Sequence, residues 1–238
     1  ALGSPTTADN CGVATVTNNA PAQFPVGSTT ITWTVTDIHG NTATCDQTVT
    51  VIDTQNPTIT CPADVLNVPA DAGQCYATGV ALGSPTTADN CGVASVTNNA
   101  PAQFPAGTTT VTWTVTDIHG NSSTCEQLVT VIDTEFPTFT VPADITIYKD
   151  ATCNYDANVT ITGDVTDEAD NCDTSLDATF TDAVANGTCE GEEIITRTWT
   201  LADDYGNTTT HIQIITVRDT TPPTFTQPAD ITIYKDAT

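Results

Sequence analysis

Thr30-Ile-Thr-Trp-Thr-Val-Thr36 sets Ile31, Trp33 and Val35 in strict alternation with threonines. Successive side chains of a strand point to opposite faces, so this period of two describes a strand with one apolar and one wet face. Threonine is β-branched and polar, which suits an exposed strand face and disfavours a helix. The pattern returns at Val111, Trp113 and Val115. Each copy is followed by a turn, Asp37-Ile-His-Gly-Asn41 in the first, where Gly40 can take positive φ and Asp37 can fold back on its own backbone. A further strand then follows, at Gln47–Ile52 and Gln127–Ile132.

Working outward, Thr58–Thr60, Val65–Val68, Tyr76–Leu82 and Val93–Thr97 read as short strands separated by Pro, Gly and Asn clusters. No segment sustains a helical period. Six or seven strands in about 80 residues is the pattern of an immunoglobulin-like sandwich. The expected fold class is all-β, with tandem immunoglobulin-like β-sandwich domains in an elongated array.

The repetition is explicit. Ala1-Leu-Gly-Ser-Pro-Thr-Thr-Ala-Asp-Asn-Cys-Gly-Val13 recurs almost unchanged from Ala81, and Pro137–Asp150 recurs from Pro223, so a short repeat type is followed by a longer one. Cutting before each Asp-Thr-x-x-Pro predicts a partial repeat at 1–53, complete repeats at 54–133 and 134–219, and the opening strands of another at 220–238. The chain reads as a window from a longer polypeptide.

The net charge is -25, with only four basic residues and none before Lys149. Such a surface repels nucleic acid and anionic membrane. The 134–219 repeat holds 17 of the 29 acids, against six in the repeat before it, so salt or a bound cation must offset its repulsion. Nine cysteines at repeat-equivalent places argue for an oxidising compartment, hence a secreted or cell-surface location.

Within one repeat, Asp-Thr-x-x-Pro-Thr-Ile-Thr-Cys61-Pro-Ala-Asp, Cys75, Asp89-Asn-Cys91-Gly, Phe104-Pro-Ala-Gly, Thr116-Asp-Ile-His-Gly-Asn121, Cys125 and Val131-Ile-Asp133 together resemble the hyalin repeat (HYR) family. The resemblance covers the whole chain and is looser in the third repeat. It implies an immunoglobulin-like fold with roles in adhesion or extracellular assembly, and no catalytic residues. Repeats of this type are also similar to those of very large surface adhesins of gliding Bacteroidota.

Cys61 and Cys125 correspond in the third repeat to Val141 and His211. Joint loss predicts that Cys61 pairs with Cys125, and by remainder Cys75 with Cys91. Cys153 would pair with Cys172, leaving Cys189 odd; alternatively Cys172 pairs with Cys189 and Cys153 is odd. Looser relatives of the repeat often carry Cys where Tyr205 stands. Cys11 and Cys45 are expected to have partners outside the chain. Zinc is disfavoured because no Cys-x-x-Cys occurs.

Calcium is the cation the acids would hold. Asp53, Asp133 and Asp219 end their repeats, and Asp37, Asp117 and Asp203 with Asp204 occupy the turn before the last strand. Hard oxygen ligands at a repeat junction would bind Ca²⁺ and stiffen the array. Asp164, Asp167, Glu168, Asp170 and Asp173 form the densest cluster, without the EF-hand ligand order. The competing reading is that turn Asp and Asn simply cap their own backbone.

Arg197 falls in phase with Trp199, so it is expected to cover that ring or pair with an acid. No nucleophile motif, zinc-protease motif or phosphate loop occurs, so no enzyme is expected. Asn121, Asn158, Asn186 and Asn207 match the N-glycosylation pattern, and Asp219-Thr-Thr resembles an O-glycosylation motif of Bacteroidota. The function expected is a structural stalk or filament segment of a secreted or cell-surface adhesin. The alternatives are a multivalent glycan- or protein-binding module and a donor-strand-assembled fibre subunit. Expected partners are neighbouring repeats of the same polypeptide or fibre, and surface glycans or proteins; direct membrane insertion of this segment is not expected.

Overall fold

The computed structural model describes residues 2–187 and 191–235. The first repeat contributes β1 (Val13–Asn18), β2 (Gly27–Asp37) and β3 (Thr42–Val51). The second contributes β4 (Thr58–Thr60), β5 (Val65–Pro69), β6 (Tyr76–Thr78), β7 (Thr86–Ala88), β8 (Val93–Asn98), β9 (Gln103–Pro105), β10 (Gly107–Asp117) and β11 (Ser122–Ile132). In the third lie β12 (Thr138–Thr140), β13 (Ile145–Tyr148), the single-turn α1 (Val159–Thr162), β14 (Thr166–Ala169), β15 (Thr179–Asn186), β16 (Glu193–Ala202) and β17 (Thr208–Arg218). Among the described residues the chain is all-β but for that one turn, which Asn158 caps by accepting from Thr160 N.

Two compact units divide the chain, and the division runs within β10 and β11. The first unit comprises 1–63, 82–100 and 110–127. In it β1, β2 and β3 form an antiparallel sheet in that order, with Trp33 opposite both Cys45 and Asn18. β4 pairs with β7, and β8 with the end of β10, Val96 facing Val115. The alternation of the sequence is realised there: Val111, Trp113 and Val115 are buried, with half-buried threonines between them. In β2 only Ile31 is fully buried; Trp33 and Val35 are half-covered by the irregular chain at 2–9.

The second unit comprises 64–81, 101–109 and 128–238. β5 runs parallel to the end of β11, and β6 pairs with β9. The third repeat places β13-β17-β16-β15 in one sheet, with β13 parallel to β17, and β12 with β14 in a second. Phe139 of β12 packs on Trp199 and Leu201 of β16, joined by Val141, Val165 and Leu176. Ile147, Ile195, Ile215 and Val217 form a second cluster. Two sheets thus enclose an apolar interior, the layering of a β-sandwich.

Two expectations are corrected. The strand expected over Tyr76–Leu82 stops at Thr78, because Gly79 and Gly83 take φ of 64° and 77°, outside the strand region. Residues 220–235, expected to open with strands, contain none, and Phe225, Ile231, Ile233 and Tyr234 are exposed. Their counterparts β12 and β13 pair with β14 and β17, which lie later in the same repeat. The parallel pairs of β5 with β11 and β13 with β17 add to the sequence reading, which assigned no strand pairing.

Candidate metal centre

The turn after β10 is tied by Asp117. Its Oδ1 accepts from His119 N at 2.8 Å and Asn121 N at 2.9 Å, and its Oδ2 from Asn121 Nδ2 at 2.8 Å. Burial pushes its carboxyl up, but these hydrogen bonds outweigh burial and leave it below the ordinary value. Asp89 opens the Asp-Asn-Cys turn, with Oδ1 accepting from Cys91 N and Gly92 N, each at 2.8 Å. Asp53 ends the first repeat and accepts from Gln55 N through Oδ1 at 3.1 Å. That bond is the main reason its carboxyl lies below the ordinary value.

One oxygen of Asp53 and one of Asp89 are left over. Both Oδ2 atoms are buried without a hydrogen-bond partner, and they converge with Asp117 so that one oxygen from each lies within 4.8 Å of the others. His119 Nδ1 lies 3.2 Å from Asp53 Oδ2, at ion-pair distance but without hydrogen-bond geometry. Cys91 completes a second set with Asp53 and His119; burial first, then the facing Asp53, pushes its thiol up.

The arrangement recurs in the second unit. Asp133, Asp170 and Asp203 converge within the same 4.8 Å. Asp170 Oδ1 accepts from Cys172 N and Asp173 N, and Asp203 Oδ1 from Tyr205 N and Asn207 N. Asp133 accepts through Oδ1 from Glu135 N at 3.1 Å and Asn171 Nδ2 at 3.2 Å. The Oδ2 atoms of Asp133 and Asp170, and Asn171 Oδ1, are buried and unpartnered. Asp133 is only 5% exposed and Asp203 8%.

Three carboxylates this close repel one another. Leaving buried acceptors unpaired adds a further penalty. A divalent cation removes both costs. An all-oxygen donor set with three negative charges suits a hard ion such as Ca²⁺.

The densest acidic stretch divides. Asp170 joins the centre, but Asp164, Asp167, Glu168 and Asp173 do not, which corrects the expectation of one cluster. Asp164 caps Val165 N, Asp167 takes the Thr140 and Thr166 hydroxyls, Glu168 accepts from Ala178 N at 2.7 Å, and Asp173 from Ser175 N and Asp204 N. Asp219 accepts from Thr221 N and belongs to no cluster among the described residues. Asp89 enters the sequence reading only as part of the hyalin-repeat signature. What marks it is recurrence: Asp9, Asp89 and Asp170 occupy one place in successive repeats, as do Asp37, Asp117 and Asp203.

Cys61 is bonded to Cys125. Cys75 is bonded to Cys172 of the following repeat, not to Cys91, and Cys153 is a free thiol; the expected Cys75–Cys91 and Cys153–Cys172 pairs, and the alternative Cys172–Cys189, are therefore corrected. The physical reason is the turn after β5, which carries Cys75 to the next Asp-Asn-Cys, where Asn171 Nδ2 also donates to Gln74 O at 3.0 Å. Cys11, Cys45 and Cys91 are also free thiols, and Cys189 lies outside the described residues. At the place of the Cys61–Cys125 bond, the third repeat sets His211 edge-on to Phe139 at 4.9 Å.

The HYR domain model matches residues 3–51 and 52–131. Hyalin of Strongylocentrotus purpuratus is 37% identical over 151 residues, covering 59% of this chain and 12% of that protein. Hyalin of Lytechinus variegatus is 32% identical over 233 residues, 92% of this chain and 43% of that protein. The chain thus spans less than half the length of either. A rat protein containing sushi, von Willebrand factor type A, EGF and pentraxin domains is 33% identical over 135 residues, 51% of this chain and 4% of that one. Among solved structures, Drosophila N-cadherin EC1-4 aligns over 83% of this chain and 59% of its own, with 10% identity and a TM-score of 0.38. The disulfides and these relatives place the chain outside the cell, among adhesion-related domains. With that model covering more than half of its residues, the chain belongs to the HYR domain family.

Proposed function

We propose that the chain is a structural stalk or filament segment of an adhesive surface protein, stiffened at its repeat junctions by Ca²⁺ held between Asp53, Asp89 and Asp117 and between Asp133, Asp170 and Asp203. The carrying observation is the pair of buried, unpartnered carboxylate oxygens at each junction, on residues from two successive repeats. A cation bridging them ties the end of one repeat to two turns of the next, which restricts bending where a chain of small domains is weakest. The setting we favour is a very large surface adhesin of the kind gliding Bacteroidota carry, with neighbouring repeats as the immediate partners. Near-identity of the first two repeats supports repeated architecture over one specialised binding site.

Calorimetric titration of the chelator-treated chain tests this reading. Two Ca²⁺ ions per chain are expected, with a raised Tm and a lower segmental mobility in solution scattering. Absence of both binding and thermal shift at millimolar Ca²⁺ would overturn it. A second reading, a donor-strand-assembled fibre subunit, is favoured by one observation. β3 is an edge strand, and Ile231–Tyr234 repeats the sequence of β13, the strand that covers the corresponding edge of β17. Concentration-dependent association of the chain, lost on Ile233→Asp, is its test.

A further inference from the structure

We infer that Cys91 and Cys153 are the two open halves of a disulfide that links each repeat to the next, of which Cys75–Cys172 is the closed example. The pairing geometry alone supports this, independently of any cation at the junction.

Cys172 is presented by a turn with three features. Asp170 Oδ1 accepts from Cys172 N at 2.8 Å, the same oxygen accepts from the next backbone N–H at 2.9 Å, and Asn171 Nδ2 lies 3.4 Å from Cys172 Sγ. Around Cys91 all three recur: Asp89 Oδ1 accepts from Cys91 N and Gly92 N, both at 2.8 Å, and Asn90 Nδ2 lies 3.4 Å from Cys91 Sγ. Cys91 is therefore held as the receiving half.

The donating half recurs with a shift of one residue. Cys75 follows the turn opened by Asp71, which is closed by Asp71 N to Tyr76 O at 2.8 Å and Gln74 N to Asp71 O at 2.8 Å. Cys153 lies one place earlier in the corresponding turn: Asp150 N donates to Asn154 O at 2.7 Å and Cys153 N to Asp150 O at 3.0 Å, so Cys153 holds the place of Gln74, next to that of Cys75. Cys153 takes φ of 62° and is exposed, so its thiol is accessible to a partner. The occupant that fits Cys153 is the Asp-Asn-Cys turn of a following repeat. The occupant that fits Cys91, and by equivalence Cys11, is the Cys75-type turn of a preceding one.

Closing such a link joins two thiols into one S–S bond and releases two protons and two electrons. An oxidised thiol–disulfide oxidoreductase of the secretory route accepts them, its own S–S bond breaking to two thiols by exchange. Cross-linking across 97 residues, as Cys75–Cys172 does, makes the junction covalent apart from the backbone.

The sequence contains the material for a direct test. Placing a second copy of residues 54–80 ahead of Ala1 completes the first repeat and puts a copy of Cys75 one repeat upstream of Cys91. The extended and original chains are oxidised, denatured, alkylated without reductant and mapped by mass spectrometry. In the original chain Cys91 and Cys153 carry the label and Cys75 is linked to Cys172. In the extended chain the label on Cys91 is lost and Cys91 is linked to the added copy of Cys75, while Cys11 and Cys153 stay labelled. A link from the added copy of Cys75 to Cys11, inside its own repeat, overturns the inference, as does full labelling of Cys91. In the original chain Cys172→Ser leaves Cys75 labelled; transfer of Cys75 to Cys91 in that variant also overturns it.

Discussion

Trp113 donates its indole N–H to Gln127 Oε1 at 3.0 Å, and Gln127 has no exposed surface. The amide nitrogen of Gln127 reaches Ala63 O at 2.6 Å and Leu82 O at 3.0 Å, so one side chain satisfies an indole and two loop carbonyls. Gln47 does the same for Trp33 and Leu2 O, and Gln213 for Trp199, Ala143 O and Thr162 O. Gln127→Met keeps the volume but leaves the buried Trp113 indole N–H and the Ala63 and Leu82 carbonyls without this partner. The expected loss is about 3 kcal/mol or more in the unfolding transition of that repeat, read by urea denaturation.

The strands were legible because Val111, Trp113 and Val115 alternate with threonine, and burial follows that period. The Trp–Gln pair was not, because the strand was expected to begin at Gln127 whereas β11 runs from Ser122 and buries Gln127 at its middle, and its partners stand in three distant segments. The metal centre was half legible. Asp53 and Asp133 announce themselves by ending repeats, but charge density pointed to Asp164–Asp173, where most carboxylates are consumed by local N–H and hydroxyl groups. Recurrence across repeats marks Asp89 and Asp170 better than density does. Cys75–Cys172 was missed because pairing was sought inside one repeat, whereas the fold puts the donating turn of one repeat against the receiving turn of the next.

Arg197 is 1% exposed inside the third repeat, and its phase with Trp199 is answered by a polar network. Nε and Nη2 hold Asp182 at 2.8 Å each, Nη1 donates to Thr162 Oγ1 and Nη2 to Ala157 O, both at 2.7 Å, and the guanidinium lies 4.0 Å over the Phe180 ring. Asp182→Ala strands a buried cation and is expected to cost about 3 to 5 kcal/mol. Adding Arg197→Met to it should recover part of that loss, because the uncompensated charge is then gone. Equal or greater destabilisation of the double variant in denaturant melts would show that the pair acts by packing alone.

Lys149 Nζ lies 2.7 Å from Glu193 Oε1. The hydrogen bond from Lys149 holds the Glu193 carboxyl below its ordinary 4.5, and Glu193 in turn holds the Lys149 ammonium above its ordinary 10.5. Glu193 therefore contributes stability that is complete above 4.5 and lost as pH falls through its lower folded value. Lys149 contributes stability that is complete below 10.5 and lost as pH rises through its higher one. The Tm gap between the chain and Glu193→Gln is expected to be flat from roughly pH 6 to 9 and to close on acidification below the ordinary carboxylate range. A gap that widens in acid would contradict the pairing.

Neutralising one carboxylate of a junction separates a cation site from a set of turn caps. In chelator, Asp133→Asn removes one of three repelling charges, so the third repeat should melt at a higher temperature than in the unaltered chain. In Ca²⁺ the order should reverse, because a hard cation loses an anionic ligand; affinity at that junction is expected to fall about tenfold or more, with the other junction unchanged. Asp53→Asn should mirror this at the first junction. Asp164→Asn, outside both centres, serves as the control, with no change in stoichiometry. If Asp133→Asn lowers Tm equally with and without Ca²⁺, its carboxylate serves only the Glu135 and Asn171 hydrogen bonds. Reversal of the sign between the two conditions is a result that backbone capping cannot produce.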